Sequence, residues 1–147
     1  RAVNRSMPNH VAGVVTDLMW NANVPAGEAK VLLLGWSYKA EVGDPRETPA
    51  EPLAATLLGK NITVGAWDPH IDSSLYPEGV VPVEDITDAE GYDLVILVTA
   101  HKACLEIDWN ALLERMRTPI VYDGRRVLDL NELKSMGWAT HAVGKPV

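Results

Sequence analysis

The stretch Lys30-Val31-Leu32-Leu33-Leu34-Gly35 decides the fold, because it is a short, uninterrupted apolar run that ends at a glycine. Runs of this kind are typical of strands that are buried on both faces, as in parallel sheets. Three similar runs and a weaker fifth follow along the chain, at residues 61–67, 92–99, 119–122 and 138–143. We therefore predict a parallel sheet of about five strands.

Helical patterns lie before and between these strands, and several carry a start or stop signal. Thr48-Pro49-Ala50-Glu51 has the form of a capping box, which predicts a helix that begins at Thr48 and ends at Gly59. Asp108 is the predicted N-cap of a later helix. Further helices are predicted over residues 8–20 and 131–136, and residues 72–91 are predicted to be mostly loop.

Strands that alternate with helices indicate an α/β domain, and right-handed crossovers place helices on both faces of the sheet. We predict a doubly wound, Rossmann-like α/β/α domain with strand order 3-2-1-4-5, the five strands being numbered along the chain. Ligands of such sheets bind beyond the carboxyl ends of the strands, where the strand order reverses. With this order the crevice lies between strands one and four, and the loops at residues 36–47 and 123–126 face it.

Composition excludes several classes of function. The chain has 147 residues, the size of one domain, and a formal net charge of −7. An acidic balance disfavours nucleic acid and anionic membranes, and no apolar run is long enough to span a bilayer. Cys104 is the sole cysteine, which excludes an internal disulfide framework and a cysteine-based zinc site. We expect a cytoplasmic protein without nucleic-acid or membrane partners.

No metal site is predicted. The four histidines are scattered and lack the spacing of metal ligands: His10, His70, His101 and His141. His101 follows the third predicted strand near the expected ligand edge. Either a peripheral role at the site or a histidine satisfied within its own loop explains that position.

Positive charge gathers in the two loops that face the predicted crevice. They contain four of the thirteen cationic side chains, Lys39, Arg46, Arg125 and Arg126. Arginine binds phosphate bidentately and lysine offers a compact charge, so the crevice suits an anionic ligand that carries phosphates. Local pairing is the alternative, because Arg46 lies beside Asp44 and Glu47, and Arg125 follows Asp123.

The glycine-rich signatures of nucleotide-binding loops are absent: Gly35-Trp36-Ser37-Tyr38-Lys39 does not match G-x-G-x-x-G. Side chains would then hold a nucleotide more than the backbone does. Tyr38 either stacks on a base or caps the core. Asp68 ends the second strand, where dinucleotide folds place a ribose-binding acid, but a turn at Asp68-Pro69 is the favoured interpretation.

At these loops the sequence resembles the UDP-glucose/GDP-mannose dehydrogenase family. The matching stretches are Leu34-Gly35-Trp36-Ser37-Tyr38-Lys39, Gly43-Asp44-Pro45-Arg46-Glu47-Thr48-Pro49, Trp67-Asp68-Pro69 and Asp123-Gly124-Arg125, and Val3-Asn4-Arg5-Ser6-Met7-Pro8 is similar to the exit of the family's central helical region. The resemblance divides the chain into a helical connector, residues 1–28, and a C-terminal nucleotide-sugar-binding domain, residues 29–147.

The resemblance implies a function and roles for individual residues. Enzymes of this family use NAD to oxidise the C6 hydroxyl of a UDP- or GDP-linked sugar to a carboxylate, a route to uronic acids for polysaccharide. Tyr38, Lys39 and Arg125 are implied to contact the nucleotide sugar, and Arg46 to reach the phosphates of NAD. The family motif specifies only the first arginine after Asp-Gly, so Arg126 has no implied role.

The chain lacks other parts of the family pattern. It contains neither the NAD-binding fingerprint nor the motifs of the catalytic cysteine and lysine, and Cys104 matches none of them, so we interpret it as a packing residue. No catalytic residue is therefore predicted, and we expect the isolated chain to be inactive. The full-length protein is expected to be a homodimer or a larger assembly. The alternative is a non-catalytic nucleotide-binding or assembly module with the same fold.

Overall fold

A sheet of six parallel strands organises the computed structural model, which describes residues 6–144. The strands are β1 (Lys30–Leu34), β2 (Thr63–Trp67), β3 (Val80–Pro82), β4 (Leu94–Leu97), β5 (Ile120–Asp123) and β6 (Ala139–Ala142). The helices are α1 (Ser6–Asn21), α2 (Ala50–Gly59), α3 (Lys102–Leu105), α4 (Trp109–Arg115) and α5 (Leu130–Met136), with 3-10 turns at Ala26–Glu28, Ser73–Leu75 and Ile86–Asp88. The spatial order of the strands is β3-β2-β1-β4-β5-β6.

The doubly wound, Rossmann-like class is confirmed, but one strand lies in a segment predicted to be mostly loop. Strand β3 is an edge strand in which only Val80 is buried. Val81 is half exposed, and Pro82 is tolerated there because an edge strand leaves one side unpaired. The proline within Val80-Val81-Pro82-Val83, together with Pro77 and Gly79 before it, is why the sequence favoured a loop there.

The additional strand changes which predicted strands are neighbours. The run at 94–97, numbered third in the sequence, pairs with β1, with Leu97 beside Leu34. It was expected beyond β2, where β3 lies instead. Because the order reverses between β1 and β4, the loop that faces residues 36–47 across the switch point is 98–101. The loop at 123–126 follows β5, one strand further along the same edge.

The central strand β1 supplies side chains to both faces of the sheet. Val31 and Leu33 pack in a core shared with α1 and α2, whereas Leu32 and Leu34 pack in a core shared with α4 and α5. Burial on both faces explains why the run carries no polar residue after Lys30. Because alternate side chains of β1 face opposite sides of the sheet, helices pack on both sides and the domain has three layers.

Capping residues lie close to the predicted helix ends, although α2 begins at Ala50, two residues after the predicted Thr48. The amide of Ala50 donates to Oγ1 of Thr48 at 3.1 Å, and the amide of Ala111 donates to Oδ1 of Asp108 at 3.0 Å. Gly137 ends α5 with a φ of 120°, a conformation that glycine adopts without a Cβ clash. Caps depend on neighbouring residues only, which is why local sequence predicts them.

Helix α1 packs on α2, and its apolar face joins the first core through Val11, Val15 and Met19. The first five residues of the predicted connector lie outside the described residues, as do residues 145–147 of the predicted domain. None of the described helices combines the length and apolarity that crossing a membrane requires.

Candidate functional site

The loop after β1 leaves the sheet at a position that requires glycine. Gly35 has a φ of +93°, and a Cβ there would lie 2.5 Å from the Cβ of Thr99. Its amide donates to the carbonyl of Trp67 at 2.8 Å, so the turn is fixed between the ends of β2 and β4. The chain is thereby directed across the carboxyl edge of the sheet.

Asp68, directly after β2, anchors that loop. Its Oδ2 atom accepts hydrogen bonds from the amide of Trp36 at 2.7 Å and from the amide and hydroxyl of Ser37 at 2.8 and 2.7 Å. Nε2 of His101 lies 2.9 Å from the same oxygen. The amide of His70 donates to Oδ1 at 2.8 Å, which makes the predicted turn after Asp68. One carboxylate thus ties together the chain after β1, β2 and β4.

The charge of Asp68 is retained although its side chain is buried. Burial alone would raise the pKa of Asp68, but hydrogen bonds from Trp36, Ser37 and His101 outweigh that effect, and the pKa lies below its ordinary value of 3.8. A carboxylate whose oxygens are occupied in this way holds the loop and is not exposed to a ligand. Asp68 is therefore not available to bind a ribose, which was the alternative role suggested by its position after β2.

His101 connects Asp68 to the far part of the loop after β1. The side chain is buried, and its Nδ1 accepts a hydrogen bond from the amide of Glu41 at 2.9 Å. Because Nδ1 accepts and Asp68 can only accept, the ring is the neutral tautomer with its proton on Nε2. The amide of Lys102 donates to Oε2 of Glu41 at 2.7 Å, which ties this residue to α3 as well.

The structure brings together Glu41, His70 and His101, whose ligand-type atoms lie within 4.8 Å of one another. The two imidazole rings are 4.6 Å apart between centroids. Both nitrogens of His101 are already used, however, one by the Glu41 amide and one by Asp68. We therefore interpret the cluster as a hydrogen-bonded support of the loop rather than as a metal centre.

Two of the predicted substrate contacts follow the anchored Ser37 directly. Tyr38 is 41% exposed, so it does not cap the core, and its amide donates to the carbonyl of Asp44 at 2.6 Å. Lys39 is exposed and, among residues 6–144, forms no ion pair with a carboxylate. The adjacent residues Tyr38 and Lys39 therefore expose an aromatic ring and an unpaired ammonium group, and the backbone before them is fixed at Ser37.

Arg46 is the predicted cofactor contact. Its side chain pairs with Asp44, which is the local ion pair that the sequence offered as an alternative to ligand binding. Its Nε and Nη2 donate to the two carboxylate oxygens of Asp44 at 3.0 and 2.9 Å. The side-chain hydrogen bonds from Arg46 hold the pKa of Asp44 at about 2. The Arg46 side chain is still 85% exposed, and Nη1 has no hydrogen-bond partner within the described part of the chain.

The loop after β5 is built around a second buried aspartate. Asp123 accepts hydrogen bonds from the amides of Arg125, Arg126 and Leu128 at 2.9, 2.7 and 2.7 Å. The carboxylate is used by the backbone, and neither arginine side chain pairs with it. Gly124 allows the close approach, since a Cβ there would lie 2.6 Å from the carbonyl oxygen of Leu97.

The predicted site residues therefore share one edge of the sheet but occupy two loops. Tyr38, Lys39 and Arg46 lie on the loop after β1, and Arg125 lies beyond β4 on the loop after β5. Arg125 and Arg126 are exposed, and within residues 6–144 neither pairs with a carboxylate. An open depression of about 300 Å³ borders Asp123 and Arg126. This edge can bind a multiply charged anion without first breaking an ion pair of Lys39 or Arg125.

Asp68, Glu41 and His101 support the loop, and spacing along the chain does not identify this network. Asp68 and His101 are 33 residues apart, and Glu41 and His101 are 60 apart. The available signal was that all three lie directly after or near strand ends. That signal places them near one edge of the sheet, but their hydrogen bonds depend on loop paths that the sequence pattern does not give.

Comparison with known proteins identifies relatives of the whole chain. The family model described as the UDP-glucose/GDP-mannose dehydrogenase family, UDP binding domain, matches residues 32–130. UDP-glucose 6-dehydrogenase of Rickettsia conorii is 26% identical, with 98% of this chain and 34% of that protein covered. UDP-N-acetyl-D-mannosamine dehydrogenase of Pyrococcus horikoshii is 29% identical, with 87% and 29% covered. The chain spans about a third of the length of these curated relatives.

Solved structures agree with the fold. The NDP-N-acetyl-D-galactosaminuronic acid dehydrogenase of Methanosarcina mazei superposes with a TM-score of 0.84 at 21% identity, over 97% of this chain and 30% of that one. The UDP-N-acetyl-mannosamine dehydrogenase of Staphylococcus aureus gives 0.70 at 26% identity, over 86% and 28%. The family model covers more than half of the 147 residues, and the chain therefore belongs to the UDP-glucose/GDP-mannose dehydrogenase family, in which it corresponds to the UDP-binding domain.

Proposed function

We propose that this chain is the nucleotide-sugar-binding part of an NAD-dependent nucleotide-sugar 6-dehydrogenase, which oxidises the C6 hydroxyl of a UDP- or GDP-linked sugar to a carboxylate. The observation that carries the proposal is the pair of exposed cations, Lys39 and Arg125, on loops whose backbones are held by Asp68 and Asp123. A diphosphate needs positive charge at fixed positions, and held loops supply it without an ordering step on binding.

The residues divide the binding work by their chemistry. The guanidinium of Arg125 forms two parallel hydrogen bonds to a phosphate, and the ammonium of Lys39 adds a compact charge. Tyr38 offers an exposed ring next to Lys39, suited to contact with the base or the sugar. Together these groups bind the nucleotide, and most contacts to the sugar come from the rest of the enzyme.

Arg46 is proposed to act towards NAD rather than towards the sugar nucleotide. Two hydrogen bonds to Asp44 hold its guanidinium in place. Nη1 has no hydrogen-bond partner among the described residues, so it can still donate to a phosphate. NAD supplies the hydride acceptor and would be bound mainly by the part of the enzyme outside this chain. Arg46 is the one residue of this chain that we propose to contact NAD, since the sequence contains no glycine-rich phosphate-binding loop.

Catalysis itself is assigned to the remainder of the enzyme. Burial raises the pKa of the Cys104 thiol to about 12, so this cysteine stays protonated and does not act as a nucleophile. We propose that residues 29–147 form the binding domain, that residues 1–28 connect it to a helical region, and that the whole enzyme is a cytoplasmic homodimer or larger assembly. The isolated chain then binds nucleotide but does not turn over substrate.

Titration of the 147-residue chain with UDP by isothermal calorimetry tests the proposal. We expect Lys39→Ala and Arg125→Ala each to weaken UDP binding about tenfold, a loss of roughly 1.4 kcal/mol, because each removes a charge-assisted hydrogen bond. Lys60→Ala is the matched control, since Lys60 is exposed and precedes β2 at the opposite edge of the sheet. Equal affinities in all three variants would refute the residue assignments, and a chain that binds no UDP would refute the function.

A further inference from the structure

We propose that His101 is a positioning residue for nucleotide binding, because its Nδ1 atom holds the backbone that presents Tyr38 and Lys39 to the ligand. The inference rests on the proposed function and concerns how the same site is shaped before the ligand arrives. In this proposal Asp68 and His101 together fix both ends of one short segment, which runs from Ser37 to Glu41.

The near end of that segment is fixed at Ser37. The Ser37 amide and hydroxyl donate to Asp68 at 2.8 and 2.7 Å, and its carbonyl accepts from Oγ1 of Thr99 at 2.8 Å. Every polar group of Ser37 is thereby used, and the residue is buried. The chain consequently enters residues 38–40 from a point attached to both β2 and β4.

The far end of the segment is fixed at Glu41. Its amide donates to Nδ1 of His101 at 2.9 Å, and its carboxylate accepts from the amide of Lys102 at 2.7 Å. Glu41 has a φ of +64°, a left-handed conformation that is unfavourable for a residue with a side chain. The two hydrogen bonds compensate for that cost. Residues 38–40 are therefore an exposed bridge between these two points, with one further attachment where the Tyr38 amide donates to the carbonyl of Asp44.

His101 can serve this purpose because of what surrounds it. Its ring is buried, and Nε2 lies 2.9 Å from Oδ2 of Asp68, which makes Nε2 the protonated atom and Nδ1 the acceptor. The ring of His70 lies 4.6 Å away, and Oε2 of Glu41 lies 3.5 Å from Nδ1. Asp68 thus holds Ser37 directly and Glu41 through the imidazole.

Loss of the Nδ1 contact should weaken binding without removing any group that touches the ligand. A released segment would have to be ordered when the nucleotide binds, and that entropy is subtracted from the affinity. Because the same bond also stabilises the fold, a test needs variants that separate the two nitrogens of His101.

The variants His101→Asn and His101→Gln make this separation. Oδ1 of asparagine is two bonds from Cβ, as Nδ1 is, and can still accept from the Glu41 amide. Nε2 of glutamine is three bonds from Cβ, as Nε2 of histidine is, and can still donate to Asp68. By calorimetry with UDP we expect His101→Gln to lose about tenfold in affinity and His101→Asn to stay within about threefold of the wild type. His70→Gln, which leaves the Nδ1 bond in place, is the control.

Two measurements without ligand complete the test. Nitrogen NMR of the wild-type chain should show the Nε2-protonated tautomer of His101, and hydrogen exchange should show a Glu41 amide protected in the wild type and in His101→Asn but not in His101→Gln. A proton on Nδ1, or UDP affinities that follow only the unfolding stability of the variants, would overturn the inference and leave the proposed function intact. A wild-type chain that binds no UDP would overturn both.

Discussion

At the scale of single residues, the site depends on two aspartates that bind backbone rather than ligand. Asp68 directly follows β2 and Asp123 ends β5, and both are buried. Asp68 accepts amide hydrogens from the loop after β1, and Asp123 accepts them from the loop that continues its own strand. A turning backbone leaves amide groups without strand partners, and a carboxylate satisfies more of them than any neutral side chain does. The cations beside them consequently remain free for a ligand.

The pair of Arg46 and Asp44 allows a residue-scale prediction. In Arg46→Ala the pKa of Asp44 should rise from about 2 towards the ordinary value of 3.8, because the largest cause of the lowering is the side-chain hydrogen bond from Arg46. This rise in the pKa of Asp44 should be partial, since the amide of residue 46 still donates to Asp44. Carboxyl NMR shifts followed through an acid titration measure it. Arg117→Ala, which changes a pair at the other edge of the sheet, should leave the titration of Asp44 as it is in the wild type.

At the scale of elements, the amino edge of the sheet is tied together by one buried network. Asp93, just before β4, accepts from the amide of Lys30 at 2.9 Å, from Arg117 at 2.8 and 2.6 Å, and from Oγ1 of Thr118 at 2.8 Å. These partners precede or begin β1 and β5, so a single carboxylate aligns three neighbouring strands. The carboxyl edge carries the loops, and this opposite edge fixes the register beneath them.

Replacing Asp93 should therefore destabilise the sheet more than replacing its cation does. We expect Asp93→Ala to lower the free energy of unfolding by about 2–3 kcal/mol, because it leaves the Lys30 amide and Thr118 hydroxyl without their partner. Arg117→Ala should cost less, since Arg117 is half exposed and Asp93 keeps two donors. Urea unfolding followed by tryptophan fluorescence gives both values. Equal losses in the two variants would contradict this account of the network.

At the scale of the whole molecule, an acidic domain presents three cations, unpaired within its described residues, along the carboxyl edge of its sheet. The net charge is −7, yet Lys39, Arg125 and Arg126 have no carboxylate partner within residues 6–144. Short-range charge decides binding, because distant charges are screened by salt. The relatives are about three times as long, which agrees with the proposal that this edge is one wall of a larger cleft.

Two of the buried carboxylates, Asp68 and Asp93, also predict how the stability of the molecule depends on pH. Burial opposes their ionisation, but hydrogen bonds from Trp36 and Ser37 to Asp68, and from Arg117 and Lys30 to Asp93, lower the pKa of each below 3.8. A group with a lowered folded-state pKa stabilises the protein above its unfolded value and loses that contribution as pH falls.

The contribution of Asp68 and Asp93 to the free energy of unfolding should therefore be constant well above pH 3.8 and decrease as acid is added through and below that value. Urea unfolding at a series of pH values measures the decrease. In Asp93→Asn the decrease should be shallower, because one of the responsible groups no longer titrates. A stability profile of the same slope in wild type and variant would exclude Asp93 as a source.

Sequence by itself determined the features that depend on neighbouring residues. The apolar run at residues 30–34 indicated a strand buried on both faces, Thr48, Asp108 and Gly137 marked helix ends, and the motif around Lys39 indicated the family. Each follows from local backbone geometry or from a contiguous pattern, so one segment suffices to recognise it.

Tertiary structure alone decided which segments meet. It placed the short edge strand β3 beside β2 and β4 beside β1, and it set the loop paths by which His101 hydrogen-bonds Asp68 across 33 residues of sequence. It also decided that Arg46 pairs with Asp44, whereas the Arg125 side chain leaves Asp123 to the backbone. The physical reason is that hydrogen bonds between loops depend on strand order, which non-local packing sets and no single segment encodes.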